Sequence, residues 1–326
     1  MKRPFFRRLA LAVVCLAVGA VRAEPPLTVA VLNFAQTAEG PAAAAHAWMR
    51  KGLADLLIND LATVPALRIL TREHMQMLLQ EAGLQDNLLA GTPDDEAEKR
   101  RCYFAVDRVL FGFFSVDRGT LVLRVNVIRQ EDGQVIARFS EESPVGDVLK
   151  AEKALARKLL AYFAGKTVAE AEAWPLPQWT DSTDATQRLY EGVDLFDGGD
   201  YLHAWYAFRQ AARIDPDFAD AHYWAARMHY YRTDYAHARP DYERFVRRFP
   251  EHARVGDAVM ELIHSAERLS DSPEEMLALY QTFQERAWQG VQVYNQADHL
   301  SRSPLSDWMT KREQGALAFL GRYEDA

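Results

Sequence analysis

Asp200-Tyr201-Leu202-His203-Ala204 returns thirty-four residues later as Asp234-Tyr235-Ala236-His237-Ala238. The correspondence extends outward from this pair: Gly192 returns as Ala226, Phe208 as Tyr242 and Pro216 as Pro250. A fixed period of this length marks an array of helical hairpins, each with an apolar face that only a neighbour can cover. Gly192 and Ala226 are small where the two helices of a hairpin cross closely, and Ala204 and Ala238 play the same part from the second helix. Pro216 and Pro250 end that second helix, because proline lacks an amide hydrogen and restricts the residue before it.

The spacing Gly192, Ala204, Phe208, Pro216 resembles the tetratricopeptide repeat, with a small residue in its first helix, then A-x3-F, then proline. Arg188 stands where that family has a leading tryptophan, and Glu191 where leucine is common. The resemblance implies that the first helix of each hairpin lines a concave groove that grips extended peptides or partner helices. On that pattern Tyr223, Arg227, Tyr230 and Tyr231 line the groove, with Phe196 beside them from the preceding repeat. Tyrosine and arginine are enriched at binding hot spots. The competing reading is that these side chains pack on the next repeat.

Lys2, Arg3, Arg7 and Arg8 precede the apolar run Leu9–Val21, which is followed by Val21-Arg22-Ala23. Residues 1–23 therefore read as a secretory signal peptide, whose thirteen-residue apolar run is too short to span a bilayer of about 30 Å as a helix. Val14 before Cys15 does not fit a lipidation signal. Removing the five basic residues of this segment, and no acidic one, takes the formal net charge from −8 to −13. Such acidity argues against nucleic acid, whose binding depends on neutralising phosphates, and against anionic lipid. Only Cys102 remains, so no internal disulfide forms. The expected location is the periplasm of a Gram-negative-type bacterium, in reach of the outer membrane.

Residues 24–163 read as an α/β domain. Strands are expected at 28–34 and 67–70, and a helix over 41–63 carries Met49, Leu53, Leu56, Leu57 and Leu61 on one stripe. Helices are expected over 72–82 and from Pro93 onward. A three-strand meander occupies 107–116, 121–128 and 134–141, with Leu121, Leu123, Val125 and Val127 on one face, and a helix spans 147–163. Val29-Ala30-Val31-Leu32-Asn33-Phe34, Leu67-Arg68-Ile69-Leu70-Thr71-Arg72-Glu73, Val109-Leu110-Phe111-Gly112-Phe113-Phe114 and Gly133-Gln134-Val135 resemble the domain shared by TolB-like and CsgG-like (curli secretion component) proteins. That implies an envelope module that docks on other envelope proteins. The short turns at 117–119 and 131–133 leave no room for the membrane hairpins of a curli-type pore.

Residues 164–183 form a linker without helical period, and its Trp174, Pro175, Pro177 and Trp179 suggest a segment pinned against a surface. Residues 184–326 hold the repeats, a third starting near Ala253 and a capping box at Ser272 opening a helix to about Trp288. Leu320–Ala326 matches the middle of a further repeat, so the array is expected to continue or to be covered by a partner or a second copy. The fold class is thus an α/β (α+β) domain with a mixed sheet, then an all-α hairpin array.

No phosphate loop, nucleophile elbow or metalloprotease motif occurs. His222 and His229, seven apart on one helical face, lack a third ligand and read as packing. His203 and His237 recur at one repeat position and read as architecture. Cys102 beside Arg100 and Arg101 reads as buried rather than reactive. No catalytic, cofactor or metal residue is assigned. The leading expectation is a non-catalytic envelope scaffold or adaptor that binds a protein or peptide partner through the groove. One alternative is a secretion-machine component oligomerising through the first domain. Another is an enzyme or ligand sensor, which would show as clustered buried titratable side chains in the α/β domain.

Overall fold

The computed structural model describes residues 26–37, 41–64, 66–70, 106–269, 272–284, 292–294 and 302–320. The signal segment, the two helices expected after residue 71, Cys102 and the terminal repeat match over 321–326 lie outside the described residues.

Strands β1 (Leu27–Val31), β2 (Ala35–Gln36), β3 (Leu67–Ile69), β4 (Arg108–Asp117), β5 (Thr120–Arg129) and β6 (Val135–Pro144) form one mixed sheet. Its order is β3-β1-β4-β5-β6, with β2 also on β4. β1 runs parallel to both β3 and β4, and the β4-β5-β6 meander is antiparallel. Period-two alternation buries Leu121, Leu123, Val125 and Val127 of β5 on one face.

Two helices dominate this domain. The helix expected over 41–63 is broken: a single turn, α1 (Pro41–Ala44), precedes α2 (Met49–Leu61). α3 (Val148–Ala164) packs beside α2 and ends on Gly165 in the left-handed region at φ 62°. The linker is not irregular throughout. Thr167 and Glu170 form a reciprocal capping box that starts the short helix α4 (Val168–Glu172), which the prolines beyond it hide from a search for periodicity. Trp174 then pins the segment, its Nε1 donating to Thr63 Oγ1 at 3.1 Å.

The second half is a series of helices: α5 (Thr183–Asp197), α6 (Tyr201–Ile214), α7 (Ala219–Tyr231), α8 (Tyr235–Arg248), α9 (Val255–Leu269) and α10 (Pro273–Gln284). A two-stranded ribbon, β7 (Gln292–Tyr294) with β8 (Arg302–Pro304), precedes α11 (Leu305–Phe319). The repeat pattern contains no strand and did not anticipate that ribbon. Among the described residues no helix is long and apolar enough to cross a membrane.

The small residues act as the period demands. A Cβ on Gly192 would lie 2.6 Å from the Phe208 ring, which fills the space between α5 and α6. The ends of α5 and α7 share one hydrogen-bond pattern: Asp200 N–H donates to Leu195 C=O, and Asp234 N–H to His229 C=O, both at 2.9 Å. This closure needs a left-handed residue after the helix. Gly199 takes it at φ 79° in the first hairpin, and the β-branched Thr233 takes it at φ 58° in the second.

The halves join where α5 crosses α2. A Cβ on Gly52 would come within 2.9 Å of the Tyr190 ring, so only glycine allows this approach. Lys51 bridges Asp194 at 2.6 Å and Asp197 at 2.8 Å, and Tyr190 Oη donates to Asp55 at 3.0 Å.

Gly192→Ala is expected to destabilise the chain by about 1–3 kcal/mol through overpacking against Phe208. Thr233→Gly is expected to stabilise it by about 1 kcal/mol by relieving left-handed strain. Urea unfolding midpoints at unchanged slope check both.

Candidate functional site

Three places in the fold gather side chains that could act. The first is the exposed end of the α5–α7–α9 face. Phe196 at the end of α5 meets Tyr231 edge-to-face at 5.1 Å, and Tyr201 lies 5.7 Å from Phe196 and 5.6 Å from Tyr231. Tyr231 is 40% exposed and Phe196 is half-buried. Arg227, one turn back, lays its guanidinium 5.1 Å over Trp224 and 5.4 Å over Tyr231, and its Nε lies 3.3 Å from Glu261 of α9. Burial disfavours that charge, but the surrounding Tyr223 and Glu261 outweigh the cost and hold its pKa above the usual arginine range. Tyr230 hydrogen-bonds His264, thirty-four residues on, and burial with the nearby Glu261 carboxylate pushes its hydroxyl up to about 12.

Tyr223 does not belong to that surface. It is 1% exposed, packed 5.6 Å from Phe245 and 6.2 Å from Tyr242 of α8, with Arg254 stacked 5.4 Å away. The reason is its place along α7. Near the start of the helix the turn at 252–254 closes over the stripe, and near its end the same stripe opens.

The second place is a cavity of about 590 Å³ between the α/β domain and the array. It is lined by parts of α2, α3, the linker and the turn before α9, including Glu152, Lys153, Trp179, Asp220, His252 and Arg254. Asp60 on α2 accepts two hydrogen bonds from Lys153 on α3, at 2.7 and 2.8 Å. Glu152 is fully buried beside them, its carboxyl 3.6 Å from Lys153 Nζ. Burial first, and the neighbouring Asp60 carboxylate second, raise the Glu152 pKa well above the usual range. Across the cavity Asp220 is held the other way: burial opposes its charge, yet His252 and Arg254 win and lower its pKa. Arg254 Nε sits 3.2 Å from it.

Composition and spacing do not reveal this cluster, because Asp60 and Lys153 are ninety-three residues apart. The one legible trace is that Asp60 and Glu152 interrupt otherwise apolar helix faces.

The third place is the corner between α7 and α8. His222 is not part of it, since its Nε2 donates to the Pro216 carbonyl at 2.8 Å. His229 instead meets Asp234 and His237, and one ligand atom from each of the three lies within 4.8 Å of the others. No metal residue is assigned from the sequence, and the groups that lie near His229 come from the turn and the start of α8, not from the face shared with His222.

No family model matches the chain, and no curated protein matches it. Solved structures do. The C-terminal domain of LpoB from Salmonella enterica is 17% identical with a TM-score of 0.26, covering 38% of this chain and 87% of that one. The same domain from Escherichia coli is 18% identical with a TM-score of 0.27, covering 39% and 88%. Lipoprotein GNA1162 from Neisseria meningitidis is 13% identical with a TM-score of 0.30, covering 43% of this chain and all of its own.

The Glu152 pKa lies above its unfolded value, so the folded chain binds the extra proton and loses stability as pH rises from the ordinary glutamate range near 4.5. Glu152→Gln is therefore expected to raise stability at neutral pH and to flatten that decline. Thermal midpoints between pH 4.5 and 8 for the two chains test it.

Proposed function

We propose that the chain is a non-catalytic scaffold or adaptor of the cell envelope, holding a protein or peptide partner on the open end of the α5–α7–α9 face. The reading rests on one observation above the others. Phe196, Tyr201 and Tyr231 form a ring-on-ring cluster whose outermost member, Tyr231, is 40% exposed and already fixed in place by Arg227. Aromatic side chains held before binding lose little conformational freedom on contact, which suits a hot spot. Tyr230 and Arg227 support this surface from below, and Tyr223 stabilises α7 without reaching a partner. The signal segment and the resemblance to TolB-like or CsgG-like domains support an envelope location, and the resemblance to tetratricopeptide repeats supports the groove.

A second reading has a specific observation in its favour. The buried Asp60–Glu152–Lys153 group beside a cavity of about 590 Å³ is the cluster of titratable side chains that a ligand sensor would carry.

Affinity capture from an envelope extract, using the full chain and a Phe196→Ala/Tyr231→Ala double variant, tests the first reading. At unchanged circular dichroism, recovery of at least one partner is expected to fall about tenfold or more, as hot-spot truncation costs of about 2 kcal/mol require. Equal recovery of every captured protein would overturn it.

A further inference from the structure

We propose that His229, Asp234 and His237 form a binding site for one divalent transition-metal cation, of which zinc is the type, and that the ion staples the corner between α7 and α8.

The backbone builds the site. Asp234 N–H closes the end of α7 on the His229 carbonyl at 2.9 Å, which sets residues 229 and 234 side by side. His237 follows one turn into α8. The His229 Nδ1 lies 3.3 Å from Asp234 Oδ2, and the His237 Nδ1 lies 2.8 and 2.9 Å from the two Asp234 oxygens. The two imidazoles stack at 5.3 Å and 24°, so both present a nitrogen to one carboxylate. Tetrahedral zinc with ligands about 2.0–2.2 Å away spaces neighbouring donors about 3.4 Å apart. The His229-to-carboxylate distance is already near that, the His237–Asp234 hydrogen bond lengthens by about 0.5 Å as the ion replaces its proton, and the gap between the imidazoles, within 4.8 Å, closes by rotation of the exposed His237. His237 is 71% exposed, which leaves the fourth position open to water. The other nitrogen of His229 faces Asp241, 3.8 Å away, in the place where metal-bound histidines keep an orienting carboxylate. Two imidazoles and a carboxylate suit zinc or its neighbours and not magnesium or calcium, which take oxygen ligands.

The preceding hairpin is an internal control. It has the same turn, with Asp200 and His203 in the places of Asp234 and His237, but Leu195 stands where His229 is. There the Asp200 carboxylate caps α6, accepting the His203 amide at 3.2 Å. The Asp234 carboxylate likewise draws the His237 amide, and α8 starts in the same way. Both hairpins thus hold a His–Asp pair, and the second adds a further imidazole, that of His229, to its carboxylate.

Isothermal titration of zinc chloride into the EDTA-treated, dialysed full chain tests the site. Wild type is expected to bind one equivalent, with a rise in thermal midpoint. His229→Leu, which copies the first hairpin, and the exposed-site variant His237→Ala are each expected to weaken binding at least about tenfold, while His203→Ala leaves it unchanged. Magnesium and calcium are expected not to compete. Wild-type binding no tighter than that of His229→Leu, or an equal loss in His203→Ala, would overturn the assignment. Should His229→Leu fail to fold, as judged by circular dichroism, His237→Ala decides the matter alone, because that side chain is mostly exposed.

Discussion

A helical hairpin with one oily side exposed cannot stand by itself, and this molecule answers that constraint at its first hairpin with a helix from a different architecture. α2, whose other side packs beneath the sheet, lies against α5 at the glycine crossing of Gly52 and Tyr190. The buried apolar residues of the sheet domain and those of the hairpins consequently belong to one continuous core, from Val29 to Met309. Each later hairpin is covered by the next in the ordinary manner of solenoids.

Much of this was legible in the sequence because it depends on local spacing. A thirty-four-residue period fixes which residues must be small, and Gly192 is small because Phe208 needs its room. Alternation in β5 likewise shows its inward face. What escaped is whatever depends on two distant segments meeting. The break between α1 and α2, the ribbon before α11 and the Asp60–Lys153 contact have no local periodic signature. Tyr223 illustrates the limit within the repeat itself: the pattern gives its face of α7 correctly, but exposure along that face depends on Arg254, from the turn after α8. His229 shows the reverse case. Its spacing to His222 suggested a shared face, whereas its true companions lie across a helix end, where the backbone doubles back.

Buried charge is distributed with some consistency. Lys51 keeps a raised pKa: burial opposes its charge, and Asp197 with Asp194 outweighs that. Arg227 is held by aromatic faces and Glu261, and Asp220 by His252 and Arg254. Each of these groups tethers one layer to the next, so their desolvation is offset at the seams of the array, where hydrophobic contact alone would allow sliding. Glu152 is the exception, a fully buried carboxyl that shares Lys153 with Asp60 beside the cavity of about 590 Å³.

The ammonium of Lys51 reaches from the sheet domain to two carboxylates of the first array helix, at a crossing with no room for even a methyl group. A joint of that kind resists swivelling, and on the proposed adaptor reading a partner seated at the far end of the array would be held at a set angle to the sheet, as by a carpenter's bracket.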